Sequence, residues 1–479
     1  MGAYEFHGDF VPGALKVEIL MAHTNVFVDH SLSISAEVEG DVLGYTWSFG
    51  DVVVATNRIS PVVTFPNAGT YDVILSASND LSTVAATVTV HVVKGFTNFV
   101  SLSGGHISPF TNWVSAATNI QAAIDAHIIP GGVVMVSNVV YASGGRTAGG
   151  QLTNRIVLTN RVRVSSVNGP EVTFIKGAGP SGSSAVRCAY VGNYSRLVGF
   201  TLTEGHTVST SAADENDYGG GGVYCERLGE VEACVIVSNN AGFGGGCYGG
   251  NIYDCEIRKN KAVSGGGSYS SIVKSSRLML NGSEYGGGGA RGEFENCLVA
   301  RNTTTGGGGG LWSALGRNCT IVGNHTDGEG GGVLDGDYRN SVIYYNTALS
   351  YANFPSDPAP FPADLKYCCT MPLAEGVGNF VQEPGLIGFT NPHLLLNSVC
   401  VDRGKNAFST TDLDIDREPR IVGEKIDIGC DEVNAASATN AFDVRIGLSF
   451  TNIAQGFPLD VFSDIEGQVL GFRWHLSGA

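Results

Sequence analysis

Between Tyr218 and Asn346 one pattern of polar and apolar positions recurs six times. Each unit opens on a small or sulfur-bearing residue: Cys234, Cys255, Ser276, Cys297, Cys319 and Ser341. An aliphatic residue follows two positions on, at Ile236, Ile257, Leu278, Val299, Ile321 and Ile343, and each unit closes on Asn239, Asn260, Asn281, Asn302, Asn324 or Asn346. Successive differences between the asparagines (260−239, 281−260, 302−281, 324−302, 346−324) are 21, 21, 21, 22 and 22. Glycine runs punctuate the same interval at 219–222, 244–246, 265–267, 286–289, 306–310 and 330–332. A fixed period of this size marks a solenoid, and alternation with period two makes its rungs strands. Glycine runs suit corners where φ is positive and backbones approach closely. The pattern predicts an all-β fold, a right-handed parallel β-helix with one coil per unit and stacked asparagines at one corner. A flexible Gly-rich linker has no reason to hold six aliphatic positions in register.

Upstream, alternating runs at Ser33–Val38, Thr70–Ala77 and Val84–Val92, separated by turn residues, predict a β-sandwich over residues 13–94. A single helical pattern follows, capped by Thr118 or Asn119, with Ile120, Ala123, Ile124 and Ile128 on one stripe and Pro130-Gly131-Gly132 as its stop. Placed ahead of a first strand at Val133–Val136, this helix would cover the open end of a β-helix spanning residues 95–433. An acidic insertion, Ser211–Asp217, reads as a loop, and the Pro-rich stretch Phe354–Pro362 reads as an excursion after the repeat breaks at Asn346.

Two resemblances bear on the flanks. Tyr45-Thr-Trp-Ser-Phe-Gly-Asp51, followed by Phe65–Val73 and Asn79, resembles the PKD (polycystic kidney disease) repeat, which implies a core tryptophan and an extracellular spacer or ligand-contact module. Val52 departs from the glycine usual at the end of that family's turn. The segments Asn397–Gly404, Thr411–Ile421 and Ile426–Glu432 resemble the ending of bacterial surface β-helix proteins of the choice-of-anchor Q kind, from which Cys430 and Asp431 depart. The tail also repeats the head: Glu466–Trp474 matches Glu39–Trp47, an offset of 474−47, or 427 residues. Residues 1–12 therefore read as the end of a preceding β-helix unit and 434–479 as the start of a second PKD-like module. The expected parent is a tandem array in which neighbouring repeats of the same polypeptide are partners.

Composition narrows the classes. A net charge of −17 argues against nucleic acid and anionic membrane surfaces, and no run of 18 apolar residues spans a bilayer. The start, Met1–Phe6, lacks the basic and apolar regions of a signal peptide, so a signal sequence is expected outside this chain. Most of the 11 cysteines fall on the repeat register and interchange with serine, which favours buried structural thiols over disulfides. Cys368-Cys369 is a vicinal pair without a metal-ligand pattern.

Placing Val223, Cys247, Ser268, Ala290, Leu311 and Val333 inward turns Tyr224, Tyr248, Tyr269, Arg291, Trp312 and Leu334 outward. The first five form a candidate ligand-binding strip about 19 Å long at about 4.8 Å per rung, although outward aromatics also stiffen a sheet face by stacking. Low-weight catalytic candidates are Arg291 with Glu293 and Asp327 with Glu329; Glu226 and Glu293, three coils or about 14 Å apart, exceed the spacing a glycosidase uses. Asp412, Asp414 and Asp416 imitate the start of a calcium loop but lack its glycine at Arg417 and its glutamate at Gly423, so calcium is only a weak candidate cofactor. His206 and His325 have no partner at ligand spacing. The resulting expectation is a non-catalytic extracellular or cell-surface protein contacting glycans or other surface polymers. The alternative is a polysaccharide lyase or glycoside hydrolase on the same scaffold.

Overall fold

Alternation at residues 69–78 and 83–93 produces two long antiparallel strands, Gly69–Ser78 and Thr83–Val93, whose inward residues close a sandwich. In this computed structural model the described residues are 15–434, apart from 22, 30–31, 41, 51, 57–58, 209–213, 357–358 and 360, together with the antiparallel strands Asp443–Ile446 and Ser463–Glu466. The expectations for 1–12, and for 434–479 beyond Asn434 and these two strands, lie outside the described residues. Trp47, Val73, Leu75 and Val90 are fully buried in the sandwich core, with Phe49 and Phe65 beside them. The chain divides into two compact units, residues 1–207 with 222–235 and residues 208–221 with 236–479.

The first unit carries the sandwich and the irregular early coils of the right-handed parallel β-helix. Thr97–Val100 pairs in parallel with Val133–Val136, which pairs with Arg163–Ser166, then Arg196–Val198 and Glu230–Glu232. The first rung therefore precedes the helix, which the sequence pattern had placed ahead of it. The helix itself is short, Ile120–Asp125, with the Asn119 side chain accepting from the Ala122 N–H at 2.8 Å. Ile120, Ala123 and Ile124 are buried as expected, but Ile128 lies beyond the helix and is 87% exposed. His127 is fully buried where sandwich and coil meet. Its ring lies 5.2 Å from Phe96 and 6.2 Å from Phe27, and Nε2–H donates to the Val133 carbonyl at 3.1 Å. A Cβ at Gly132 would come within 2.0 Å of Nδ1, so only glycine lets the ring sit there.

The second unit is the regular coil. One face stacks Glu256–Arg258, Arg277–Met279, Leu298–Ala300, Thr320–Val322, Val342–Tyr344 and Cys369–Thr370. A second stacks Asn240–Phe243, Lys261–Ser264, Gly282–Tyr285, Thr303–Gly307 and His325–Thr326. The corner between them holds the asparagine ladder. Each amide Oδ1 accepts from both the backbone N–H and the Nδ2 of the asparagine one coil below, all at 2.9–3.1 Å, from Asn239 through Asn346. The ladder does not stop there: Asn346 donates to Asn353 Oδ1 at 2.9 Å, so the excursion supplies a further rung.

Cysteine and serine interchange because both do the same work. Cys255, Cys297 and Cys319 donate Sγ–H, and Ser276 and Ser341 donate Oγ–H, to the carbonyl two residues back at 2.8–3.2 Å. Cys368 joins this series: register Val342↔Cys369 places it beyond Ser341, fully buried, so the coil continues past the apparent break at Asn346. All 11 cysteines are buried free thiols.

Asn302→Ala leaves the Asn281 amides and the Leu278 carbonyl without buried partners. At about 1–3 kcal/mol for each unsatisfied group, the variant is expected to lower the urea midpoint, while Ala at exposed Thr303 leaves it nearly unchanged. Burial holds the His127 pKa below its ordinary value. The unfolded chain therefore takes up a proton that the folded one refuses, and stability is complete above about pH 6.5 and falls as the pH drops below it. Thermal unfolding between pH 8 and 5 checks this, with His127→Gln flattening that part of the profile.

Candidate functional site

The in-register coil brings every nth side chain to the same place, and on one side of the second unit these are aromatic. Register Cys247↔Ser268↔Gly289↔Leu311↔Val333 puts the next residues, Tyr248, Tyr269, Ala290, Trp312 and Leu334, in one row, in which Tyr248, Tyr269 and Trp312 are half-buried while Ala290 and Leu334, the latter expected to point outward, are buried. This corrects the expected strip by one position. Gly289, not Ala290, points inward, because Phe294 fills that space: a Cβ on Gly289 would stand 2.4 Å from its ring. Arg291 falls off the row into a left-handed corner at φ 53°, exposed, with its guanidinium 5.4 Å over the Trp312 ring.

Tyr248 and Tyr269 stack at 5.6 Å with 17° between planes. A second row, absent from the sequence reading, stands across the glycine corner. Phe243 lies 4.8 Å from Tyr269 and Tyr285 lies 5.1 Å from Trp312. Their signal was the residue immediately before each glycine run. Tyr248 Oη donates to Glu215 Oε2 at 2.9 Å, from the one-turn helix Glu215–Tyr218 inside the acidic insertion. The rings are half-buried.

In the first unit Tyr224 is half-buried and stacks on Tyr190 at 5.4 Å with 5° between planes, under the Arg187 guanidinium at 5.2 Å. Glu226 is committed there: Tyr190 Oη and the Asn193 N–H both donate to its carboxylate.

The remaining candidates do not assemble. Asp327 is 69% exposed at its side chain and meets His325 Nε2 at 3.3 Å on an open corner, which also gives His325 a partner the spacing did not suggest. Glu293 is exposed at the rim of a cleft of about 260 Å³ lined by Lys274, Phe294, Glu295, Leu315, Arg317 and Thr410. Glu295, two residues on, faces the same side. It is tied down by Lys274 at 2.9 Å and by the Thr410 N–H at 2.6 Å. Burial pushes its pKa up, but the bonds from Thr410 and Lys274 outweigh that and hold it below the ordinary value.

The acidic string is not a calcium loop. Asp414 is 1% exposed and spends both oxygens on backbone N–H groups of Asp416, Glu418 and Glu432; Asp416 turns away to Arg277 and His393, and Asp412 is exposed. Three amide bonds leave Asp414 at most one lone pair for an ion. The string instead belongs to a strap, residues 404–432, that crosses several coils through Arg417–Asp254, Arg277–Asp416, Thr410–Glu295 and Lys405–Asn340.

These features define a parallel β-helix with a strapped C-terminal end, a double aromatic row, and an N-terminal sandwich. Residues 17–92 match the PKD domain family. No curated protein matches the chain in sequence. Among solved structures, the chain is similar to a Yersinia enterocolitica Family 28 exopolygalacturonase at 12% identity and a TM-score of 0.26, over 78% of this chain and 88% of that one. A likeness at that level speaks to neither activity nor substrate. Among the described residues no helix is long and apolar enough to cross a membrane.

Glu295→Gln removes the charge that holds Lys274 and Thr410. The expected result is a stability loss of about 1–3 kcal/mol at neutral pH and faster proteolysis within residues 404–432. Because its folded pKa is depressed, the wild-type advantage is present above about pH 4.5 and disappears as the pH falls below it; denaturant titrations of both proteins at pH 7 and pH 3.5 test the sign.

Proposed function

We propose that this chain is an extracellular, non-catalytic module that holds glycan chains against the double aromatic row of its coil. The observation that carries the reading is the row itself: Phe243, Tyr248, Tyr269, Tyr285 and Trp312, half-buried and fixed by stacking on rungs about 4.8 Å apart. Sugar rings have apolar faces, and rigid aromatic faces held at a regular spacing accept them with little loss of conformational entropy. Arg291 over Trp312 adds a hydrogen-bond donor at the edge. Tyr224, with Tyr190, belongs to the same proposal in the first unit.

Hydrolysis or elimination is the second reading, and one observation favours it: Glu293 and Glu295 line the same cleft. Against it, Glu295 is held ionised by Lys274 and Thr410, so it is not the group that protonates a departing glycosidic oxygen. Asp327 and Glu329 sit at an open corner with no enclosure to exclude water.

The finer assignments form part of the proposal. They are a choice-of-anchor Q-like ending at Ile426–Glu432, a division at 13–94 and 95–433, a cell-surface location, and tandem repetition at 427 residues. The full burial of Ile426, Ile428 and Cys430 supports the first.

Glycan microarrays and affinity electrophoresis with neutral and acidic polysaccharides test the main reading. Tyr269→Ala and Trp312→Ala are each expected to weaken retention roughly 2- to 13-fold, the equivalent of about 0.5–1.5 kcal/mol per ring contact. Glu293→Gln leaves retention unchanged, and neither reducing ends nor unsaturated products accumulate. Product release that vanishes in Glu293→Gln or Glu329→Gln would replace this reading with the catalytic one.

A further inference from the structure

Three side chains converge at the strap. His393 Nε2 lies 3.0 Å from Asp416 Oδ2 and 3.9 Å from Asp431 Oδ1, and the three ligand-type atoms all fall within 4.8 Å of one another. Each of these residues is oriented through its other polar atom. His393 Nδ1 contacts Asn391 Oδ1, Asp416 Oδ1 pairs with Arg277 Nη2 at 2.9 Å, and Asp431 Oδ2 accepts the Leu394 N–H at 2.8 Å. Asp431 is only 4% exposed, and its Oδ1 has His393 Nε2 as a cationic neighbour at 3.9 Å, beyond hydrogen-bond distance. A carboxylate so nearly buried is stabilised by a cation that reaches it.

We propose that His393, Asp416 and Asp431 bind a divalent transition-metal ion of the zinc type, with the fourth position open to water. Bonds of about 2.0–2.2 Å at tetrahedral angles put neighbouring ligand atoms about 3.4 Å apart, between the two observed separations. One imidazole and two carboxylates suit zinc, whereas calcium requires six or more oxygens. Binding displaces the Nε2 proton to solvent, and Nδ1–H then donates to Asn391, the outer hydrogen bond that fixes the tautomer of a ligating histidine. His393 is 41% and Asp416 27% exposed at the side chain, so an ion has a path in. His393 comes from the turn before Leu394 and Asp416 and Asp431 from two places in the strap, so the ion would pin these segments together.

Chelator-treated protein titrated with ZnCl2 by calorimetry is expected to take up one equivalent and to gain thermal stability in step with it. Co²⁺ in place of zinc should give the visible absorption of a low-symmetry four-coordinate site. His393→Ala and Asp431→Asn abolish uptake, and Asn391→Ala weakens it about 10- to 100-fold, as outer hydrogen-bond partners do. Far-UV circular dichroism confirms that each variant is folded; should Asp431→Asn unfold, the Co²⁺ spectrum of the parent and Asn391→Ala still decide. Absence of stoichiometric uptake, or uptake unchanged in His393→Ala and Asn391→Ala, overturns the site and leaves the trio as an ion-paired histidine. CaCl2 binding more tightly than ZnCl2 overturns the assigned metal class.

Discussion

A parallel coil can satisfy its backbone only through the coil above and the coil below, and its corners are where that fails first. The asparagine ladder solves the problem at one corner, with each Oδ1 taking two donors from the rung beneath and each Nδ2 returning a bond to a backbone carbonyl, as Asn302 does to Leu278 at 2.9 Å. An amide one residue out of place would lose all of these bonds inside a dry core, where unserved polar groups cost most. The ladder therefore fixes the period. Left-handed residues complete the turns: Lys259, Leu280, Arg301 and Tyr345 precede asparagines, and Gly244, Gly265, Gly286, Gly308 and Gly330 make another corner. Strain at the bulky members of this set is maintained because the stacked neighbours over-determine them.

A fixed register has a chemical consequence on the outer surface. Side chains recur at the rung spacing, so any outward position that tolerates a ring in several coils becomes a stack, as Tyr248 and Tyr269 do. Charged groups on the same scaffold are used differently. Glu295 anchors the strap, Asp337 and Asp364 neutralise Arg339, and Glu226 receives Tyr190. Carboxylates committed to structural partners in this way are not available as acid–base pairs.

Much of this was legible in the chain because stacking repeats a local rule. Register, the buried thiols and the ladder from Asn239 to Asn346 each follow from spacing or from side-chain type, and the packing of Trp47 from the resemblance to the PKD repeat. What escaped the sequence reading depends on compensation between distant positions. Phe294 fills the space above Gly289, and that exchange moves Arg291 off the aromatic row. Asn353 and Cys368 resume their ladders only after irregular intervals, so periodicity cannot find them. The strap is less visible still: Thr410 meets Glu295 across 115 residues and Arg417 meets Asp254 across 163, with no local signature for either. The same limit made Asp412–Asp416 resemble a calcium loop when its carboxylates serve the backbone and other segments.

The C-terminal end poses a problem that apolar packing alone cannot solve. Segments past the last strand are irregular, and irregular backbone leaves carbonyls unpaired where burial is greatest. Arg420, 1% exposed, answers several at once, donating to the carbonyls of Asp427, Gly429 and Asp431 and to Glu432 Oε2 at 2.8 Å. Glu432 in turn accepts from the amides of Val422 and Asp427. Replacing such a pair with hydrocarbon would save its desolvation but strand three carbonyls and two amides, so here the ionic solution is dictated by the backbone. The same logic runs through the fold: a polar side chain is buried where it completes a turn that the chain cannot complete for itself.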